Sequence, residues 1–367
     1  MEDKKIRLAT VFSGIGAVEQ ALLKMQKKYE IVFACDNGER ELKESYHEIN
    51  IYADEHGLNN AEKNKYVKCL YNKTKRNNWV KKSYFENYDI SEERWFEDIR
   101  FIDGKNYKDK VDLFVGGSPC QSFSIIGKRR GLEDVRGTLF YEYARLVKEI
   151  QPKVFIYENV IGMLNHDKGK TWGIIKSIFK SLGYKIYYKV LNSIDYGIPQ
   201  DRKRLFVVGF KDSSIKFRFP RKQKLYKTLF DFLDKEIATR HYLGEKGFKF
   251  VTNPKYKNRA RVNKSIIQTQ KANQQFNWNG DFVFEDFEKI KNNEDILKRA
   301  FVGEFDSKKG VIRQLTYREC VRLMGFSDDY KIVVPNVHAY RQSGNSIVVN
   351  VLENILKQIF KVEFFDE

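Results

Sequence analysis

Short apolar runs alternate with amphipathic stretches through the first half of the chain. The apolar runs have the unbroken character of strands buried on both faces, and they fall at residues 8–12, 31–35, 111–117, 153–160, 184–191 and 204–210. The stretches between them predict helices from Ala17 onward and over 39–49, 139–150 and 172–182. This rhythm predicts an α/β fold with a doubly wound, mainly parallel sheet.

The rhythm is interrupted twice. Residues 51–95 are polar, basic and aromatic with poor periodicity, which indicates an insertion. Residues 211–312 contain short β-like or irregular segments rich in Lys, Asn, Gln and Phe, and they predict a separate, smaller domain. Helical patterns return over 316–326 and 345–360. We therefore expect a main domain over 1–210, a small domain over 211–312, and a C-terminal segment, 313–367, that completes the main domain.

The charge balance favours a polyanionic partner. There are 67 Lys and Arg residues against 49 Asp and Glu, a formal net charge of +18, which favours nucleic acid over a merely solvated basic surface. No apolar run reaches the length of a membrane span, and the first residues lack the features of a secretory signal. We expect a cytoplasmic protein without a membrane partner. The four cysteines and five histidines form no disulfide or zinc pattern, so no metal is expected.

A glycine-rich turn follows the first strand. Phe12, Gly14 and Gly16 lie between that strand and the first helix, and glycines there let the backbone turn tightly and approach a ligand. Asp36 ends the second strand, where a carboxylate can bind ribose hydroxyls. The pattern indicates an adenosine-containing ligand, although such a turn is also common as pure structure.

Three further motifs lie at strand ends. Cys120 follows the third strand in a Gly- and Ser-rich stretch, and Glu158 ends an apolar strand that shields its carboxyl group. Arg202 and Arg204 stand at the start of the strand over 204–210, which reaches the same edge if it runs antiparallel. Taken singly, each has a plainer explanation: a buried cysteine in a turn, a surface ion pair, or a basic surface turn.

In their residues and in their order along the chain, these motifs resemble those of DNA (cytosine-5)-methyltransferases, in particular the bacterial restriction–modification type. The resemblance covers nearly the whole chain except 51–95 and 211–312. The matching motifs are Phe12 to Gly16, Pro119-Cys120-Gln121, Arg136-Gly137-Thr138-Leu139-Phe140, Glu158-Asn159-Val160, Gln200 to Arg204, Arg313-Gln314-Leu315-Thr316, Arg318-Glu319-Cys320 and Gly344-Asn345-Ser346.

The resemblance implies a covalent mechanism of cytosine methylation. In the family, the cysteine of the Pro-Cys motif attacks carbon 6 of a cytosine that has been flipped out of the duplex. Cys120 then is the nucleophile, and Glu158 holds and protonates N3 of the base. Arg202 matches the arginine that contacts the base oxygen O2, and Arg204 supports it.

The resemblance also implies S-adenosylmethionine as the methyl donor and a Rossmann-like methyltransferase sheet as its scaffold. The residues that match cofactor-binding positions are Phe12, Gly14, Gly16, Asp36, Asp98, Ile99, Pro119, Asn345 and Ser346. In the family, the acidic residue that binds the ribose is usually followed by a large apolar residue. Asn37 stands at that position here, so the ribose could be bound by Asp36 or by Glu39.

The expected partner is double-stranded DNA, read by a target-recognition domain over 211–312. We also expect a monomer, and a cognate restriction endonuclease that acts separately.

Two other functions compete with this one. The first is an RNA (tRNA) cytosine-5 methyltransferase, but that branch has a small recognition region where this chain has roughly a hundred residues, the size of a small domain. The second is a catalytically inactive DNA-binding relative. The presence of Cys120, Glu158 and Arg202 together argues against it, because no structural need requires all three.

Overall fold

The computed structural model describes residues 5–119, 139–273 and 278–362. The chain divides into two compact units, each built from more than one stretch of sequence. The first unit comprises 1–191, 203–221 and 352–367, and the second comprises 192–202 and 222–351.

The strands and helices largely follow the predicted rhythm. The strands are β1 Ile6–Val11, β2 Tyr29–Cys35, β3 Trp95–Phe96, β4 Leu113–Gly116, β5 Val154–Val160, β6 Lys185–Asn192, β7 Gln200–Asp201, β8 Lys203–Phe210, β9 Ala260–Val262, β10 Ile267–Gln268, β11 Gly280–Asp286, β12 Gly303–Phe305 and β13 Lys308–Gln314. The α-helices are α1 Ala17–Lys24, α2 Tyr46–Glu55, α3 Asn60–Lys73, α4 Trp79–Asn87, α5 Leu139–Ile150, α6 Gly162–Asn165, α7 Lys170–Ser181, α8 Glu245–Thr252, α9 Phe287–Ile290, α10 Glu294–Arg299, α11 Tyr317–Arg322, α12 Asn336–Asn345 and α13 Val349–Lys361.

The first unit is organised around a seven-stranded sheet in the order β3-β2-β1-β4-β5-β8-β6. The pairs β2/β3, β1/β2, β1/β4 and β4/β5 are parallel, whereas β5 and β8 are antiparallel. The α/β fold is therefore confirmed. The strand after Arg202 runs antiparallel to β5, which is the condition under which the start of β8 reaches the end of β5.

Strand β4 and helix α5 contribute buried side chains to the core of this sheet. All four residues of β4 are buried, as expected for a strand covered on both faces. Helix α5 buries the side chains that recur at three- and four-residue intervals, namely Phe140, Tyr143, Ala144, Leu146, Val147 and Ile150. This periodicity is why the predicted bounds of α5 match the structure.

Residues 51–95, predicted as an insertion without clear periodicity, contain the second half of α2 together with α3 and α4, and they end at the first residue of β3. The helix predicted over 39–49 was wrong at its start, because α2 begins only at Tyr46. Ser45 and Glu48 form a capping box that fixes this start, and their Ser-x-x-Glu spacing is a signal that periodicity alone does not include.

The second unit contains a four-stranded sheet in the order β12-β13-β11-β9 and the two-stranded pair β10-β7. Arg313 of β13 is 1% exposed, and its guanidinium donates two hydrogen bonds of 2.9 Å to Glu319 of α11. Glu319 also completes a capping box with Thr316 at the start of α11. A buried ion pair with this many hydrogen bonds fixes α11 against the sheet.

The two units do not coincide with the segments predicted from sequence. Residues 192–202 and 313–351, predicted in the main domain, belong to the second unit, and residues 211–221, predicted in the small domain, belong to the first. The division at 210 and 313 stays a prediction about which segments carry catalysis and recognition. Within the described ranges, none of the helices combines the length and apolar character that a bilayer crossing needs.

Candidate active site

The turn between β1 and α1 has a left-handed backbone at three positions. Phe12 has a φ of 52°, Gly14 of 53° and Gly16 of 76°. A bulky residue such as Phe12 rarely adopts this conformation, so the surrounding structure must impose it. Hydrogen bonds do so, because the backbone N–H of Ser13 donates to the carbonyl of Cys35 at 3.1 Å. The turn is therefore fixed against the end of β2.

Asp36 joins the turn to the loop that follows β2. Its carboxylate accepts hydrogen bonds from the backbone N–H of Gly14 at 3.0 Å and of Gly38 at 2.8 Å. Burial raises the pKa of Asp36, and these two N–H groups oppose the shift. Asn37 accepts a hydrogen bond from the N–H of Glu39, whose side chain is exposed. Of the two acids considered for the ribose, Asp36 is the one held against the glycine turn.

The predicted adenine-edge residues follow β3. Ile99 is buried, and the Asp98 carboxylate accepts hydrogen bonds from the Tyr71 hydroxyl at 2.9 Å and from the Arg100 guanidinium at 2.6 Å. The backbone N–H and Nε of Arg100 donate to the same carboxylate, and together these contacts fix the orientation of Asp98.

The ends of β4 and β5 lie side by side and hold the segment that leads to Cys120. Asn159 donates a hydrogen bond from its side-chain amide to the Ser118 carbonyl at 2.9 Å, and the Ser118 and Tyr157 hydroxyls are 2.7 Å apart. A Cβ on Gly117 would lie 2.8 Å from the backbone carbonyl oxygen of Glu158 and 3.0 Å from its Oε2. Glycine is needed at 117 because the backbone and the carboxylate of Glu158 both border the space that a side chain would fill.

Cys120 itself lies outside the described residues, as do the other motif residues between 121 and 138. Pro119, its neighbour, is described and exposed. Among the other cysteines, Cys35 and Cys320 are buried and Cys69 is exposed on α3. Burial and the carboxylates of Asp98 and Asp36 raise the pKa of the Cys35 thiol, which disfavours a nucleophilic thiolate there.

Arg204 is the arginine that contacts Glu158. Its Nε lies 3.2 Å from Oε1 of Glu158, and both side chains are largely buried. The contact follows from the antiparallel register, in which Val160 pairs with Arg204 and Glu158 with Phe206. A carboxylate and a guanidinium thus stand together at the edge of the sheet where β4 ends.

Arg202 makes a different set of contacts within the second unit. Its guanidinium donates to the backbone carbonyls of Gln270 at 2.9 Å, Gly344 at 3.0 Å and Ser346 at 2.8 Å. The side chain is 4% exposed. Through these contacts Arg202 fixes the backbone on both sides of Asn345. They do not support the predicted contact of Arg202 with the base oxygen O2.

Gln200 acts in the same way. Its amide donates to the Leu323 carbonyl at 2.9 Å and accepts from the Gln270 N–H at 3.0 Å. Of the two cofactor positions predicted in this unit, Asn345 ends α12 and is exposed, and Ser346 follows it and is buried.

Several residues that shape the site have no predicted role of their own. Asn159 enters the prediction only as part of a motif, and Tyr71, Asn78 and Tyr88 lie in the segment 51–95, for which no site role is predicted. The motif position of Asn159 beside a catalytic candidate was a usable signal. Local sequence carried none for the other three, because each contacts a residue 27 or more positions away.

The residues of the first unit fit an adenosine-type cofactor. The glycine turn leaves its backbone open, since a Cβ on Gly14 would meet nothing closer than 3.9 Å. Asp36 and Asp98 supply acceptors for ribose hydroxyls and for an exocyclic amine. Within the described part of the chain, His, Cys, Asp and Glu side chains form no group suited to a metal ion.

The family of known sequences described as C-5 cytosine-specific DNA methylase matches residues 51–361, and the chain belongs to this family. The family methylates cytosine at carbon 5 in DNA, and it implies S-adenosylmethionine as the donor. The chain is 33% identical over 320 residues to the type II methyltransferase M.HhaI of Haemophilus parahaemolyticus, covering 85% of this chain and 93% of the relative. It is 31% identical over 339 residues to the type II methyltransferase M.HpaII of Haemophilus parainfluenzae, covering 87% and 90%.

Solved structures agree on the fold. The S. pombe Dnmt2 methyltransferase aligns with a TM-score of 0.65 at 17% identity and covers 98% of this chain and 100% of that chain. A putative DNA modification methyltransferase encoded within an E. coli prophage aligns with a TM-score of 0.55, also at 17% identity, over 98% and 99%. The predicted methyltransferase fold is therefore confirmed.

Proposed function

We propose that this chain transfers a methyl group from S-adenosylmethionine to carbon 5 of a flipped-out cytosine in a specific duplex DNA sequence, through a covalent bond between Cys120 and carbon 6. The observation that carries the proposal is the contact of Glu158 with Arg204, beside Gly117 and three residues before Cys120. A base held there would meet a proton donor and a cation, and the proposal adds the thiol of Cys120, which follows Gly117 by three residues in the sequence.

The chemistry explains why a thiol is needed. Carbon 5 of cytosine is a weak nucleophile while the ring is aromatic. Addition of the Cys120 thiolate to carbon 6, with a proton supplied at N3, turns N4–C4–C5 into an enamine that can attack an electrophile. S-adenosylmethionine supplies the electrophilic methyl group. Loss of the proton from carbon 5 and departure of the thiolate then restore the ring and the enzyme.

In this scheme Glu158 holds N3 and gives it the proton. Arg204, 3.2 Å from Glu158, is the better candidate for the base oxygen O2, and Arg202 keeps the backbone around Asn345 in place. Asn159 is a positioning residue, because its amide holds the Ser118 carbonyl two residues before Cys120.

The cofactor residues are carried over as part of the proposal. Asp36 binds the ribose, and Asp98 with Ile99 contacts the adenine. The remaining cofactor positions are Phe12, Gly14, Gly16, Pro119, Asn345 and Ser346. Support comes from the open glycine turn and from the hydrogen bond that joins it to Asp36.

The proposed substrate is duplex DNA, read by residues within 211–312 and attracted by the net charge of +18. The names of the type II relatives support a bacterial restriction–modification role. The proposal further includes a monomeric, cytoplasmic methyltransferase and a restriction endonuclease that acts separately. An RNA (tRNA) methyltransferase is the alternative. Tritium transfer to duplex DNA and to tRNA, measured in parallel, distinguishes the two substrates.

The covalent step is tested by Cys120→Ser, with Cys69→Ser as the matched control on exposed α3. A hydroxyl is far less nucleophilic than a thiolate at neutral pH, so Cys120→Ser should lower methyl transfer by orders of magnitude and leave DNA binding intact. Near-normal turnover of Cys120→Ser would refute the mechanism.

A duplex with 5-fluorocytosine at the target gives the complementary result. Fluorine cannot leave carbon 5 as a cation, so the enzyme should stay attached to the DNA only when S-adenosylmethionine is present. The adduct should map to the peptide containing Cys120. An adduct at Cys35, Cys69 or Cys320 would overturn the assignment.

A further inference from the structure

Helices α2, α3 and α4 and the residue that follows them, Tyr88, form a helical segment over 46–88 inserted between β2 and β3. Neither the proposed chemistry nor the family motifs use this segment. Its polar side chains nevertheless contact three elements of the first unit: the glycine turn, the loop at Asp36 and the acid at Asp98.

Tyr88 holds the glycine turn. Its hydroxyl donates to the backbone carbonyls of Ile15 at 3.0 Å and of Gly16 at 2.8 Å, and its side chain is buried. A Cβ on Gly16 would lie 2.1 Å from the Tyr88 ring. The aromatic ring and the glycine therefore fit each other, and the hydroxyl fixes carbonyl groups at the point where α1 begins.

Asn78 holds the loop that carries the ribose acid. Its side-chain amide donates to the backbone carbonyl of Asp36 at 2.8 Å and to the Glu97 carboxylate at 2.8 Å. The same side chain accepts from the Lys81 N–H at 2.9 Å and so caps α4. The position of the Asp36 backbone is thus tied to the start of a helix.

Tyr71 contacts the third element, Asp98, which is predicted to bind the adenine. Its hydroxyl donates to Oδ2 of Asp98 at 2.9 Å, and the side chain is 1% exposed. The Tyr71 backbone carbonyl accepts from the Arg40 guanidinium at 3.2 Å, and Arg40 also forms an ion pair with Glu97. Tyr71 is therefore anchored at both its ring and its backbone.

We propose that the helical segment 46–88 positions the cofactor site, with Tyr88, Asn78 and Tyr71 as positioning residues for the glycine turn, the Asp36 loop and Asp98. The inference rests on the proposed function, which assigns these three elements to S-adenosylmethionine. It gives the segment a role in cofactor affinity and none in recognising DNA.

Removal of one hydroxyl tests the role with little change in packing. Tyr88→Phe removes the hydroxyl that donates to the Ile15 and Gly16 carbonyls, of which Gly16 keeps the N–H of Gln20 as a donor. Tyr71→Phe leaves Asp98 with its hydrogen bonds from Arg100. Loss of a hydrogen bond to a buried acceptor corresponds to roughly a five- to thirtyfold change in an equilibrium constant. Tyr66→Phe is the matched control, since Tyr66 stacks on Tyr52 in the same segment with ring centroids 4.3 Å apart.

The experiment measures the Kd for S-adenosylmethionine by calorimetry, the Kd for duplex DNA by fluorescence anisotropy, kcat at saturating cofactor, and Tm. The expected result is a five- to thirtyfold weaker cofactor Kd for Tyr88→Phe and Tyr71→Phe, with kcat and DNA affinity unchanged. Tyr66→Phe should match the wild-type chain in all four measurements.

Asp36→Ala separates failure of this inference from failure of the proposed function. If the wild-type chain binds no S-adenosylmethionine, or Asp36→Ala binds it normally, the assigned cofactor site is wrong. If Asp36→Ala binds poorly while Tyr88→Phe and Tyr71→Phe behave like Tyr66→Phe, the positioning role is overturned. Equal losses of cofactor and DNA binding with a lowered Tm would also overturn it, because they indicate a general structural role.

Discussion

Replacing Glu19 by Gln removes a buried ionisable group from the first turn of α1, directly after the glycine turn. Glu19 is 1% exposed, and its burial raises the pKa of the carboxyl group to about 7. Hydrogen bonds from the Tyr84 and Thr10 hydroxyls oppose this shift without cancelling it. The native chain therefore holds a carboxylate at pH 8 in a site that favours the neutral acid.

The size of the effect follows from proton linkage. The carboxyl titrates near 4.5 in the unfolded chain and near 7 in the folded one, which corresponds to about 3 kcal/mol of lost stability once the pH exceeds both values. The folded chain binds more protons than the unfolded chain between these values, so stability falls as the pH rises from 4.5 to 7. Below 4.5 both states are protonated and the penalty is absent.

Gln is neutral at every pH and keeps an oxygen that can accept from Tyr84. Its amide nitrogen adds a constant cost, so the informative quantity is the change with pH. Relative to the wild-type chain, Glu19→Gln should gain about 3 kcal/mol in unfolding free energy on going from pH 4.5 to pH 8. Urea denaturation followed by circular dichroism at several pH values measures this gain.

Glu41→Gln is the control, because Glu41 is exposed and its replacement should shift stability little at any pH. A difference in unfolding free energy between Glu19→Gln and the wild-type chain that stays constant from pH 4.5 to 8 would contradict the raised pKa of Glu19. So would a difference that shrinks as the pH rises.

Two further changes test the second unit and the recognition segment. Glu319→Gln should lower the unfolding free energy by about 1.5–3 kcal/mol, because the buried Arg313 loses one carboxylate partner and keeps the other, Glu285. Glu294→Gln at an exposed pair should cost less than about 1 kcal/mol. Urea denaturation compares the two variants, and equal losses would contradict the buried-pair argument. Exchanging 211–312 for the corresponding segment of a related enzyme should transfer the methylated sequence, read by methylome sequencing, and an active chimera that keeps the original site would place recognition elsewhere.

The main sheet could be predicted because its determinants are local. Helix α5 shows its buried stripe in the spacing of Phe140, Tyr143 and Val147, and β4 shows its double burial as an unbroken apolar run. The order of the motifs also identified the family. For α5 and β4, the pattern of burial that determines the element is visible in consecutive residues of the sequence.

The remaining features depend on contacts between distant parts of the chain. The different contacts of Arg202 and Arg204 could not be predicted from sequence, because the two residues lie two positions apart and only the pairing of β5 with β8 brings Arg204 to Glu158. Helix α3 buries only Val67, Leu70 and Tyr71, so most of its residues face solvent and its apolar signal is weak. Helix α3 contacts Asp98 through the hydroxyl group of Tyr71.

The way Gln200 and Arg202 hold the second unit has a consequence for how its sequence can change. Five of the hydrogen bonds that these two side chains make end on a main-chain N–H or carbonyl, those of Gln270, Leu323, Gly344 and Ser346, and Gln200 also donates to Sδ of Met324 at 3.4 Å. Main-chain groups are the same whatever side chains the segment carries. Mutation or recombination can therefore replace side chains in this unit while the same two residues keep anchoring its backbone, which leaves the unit free to diversify during evolution.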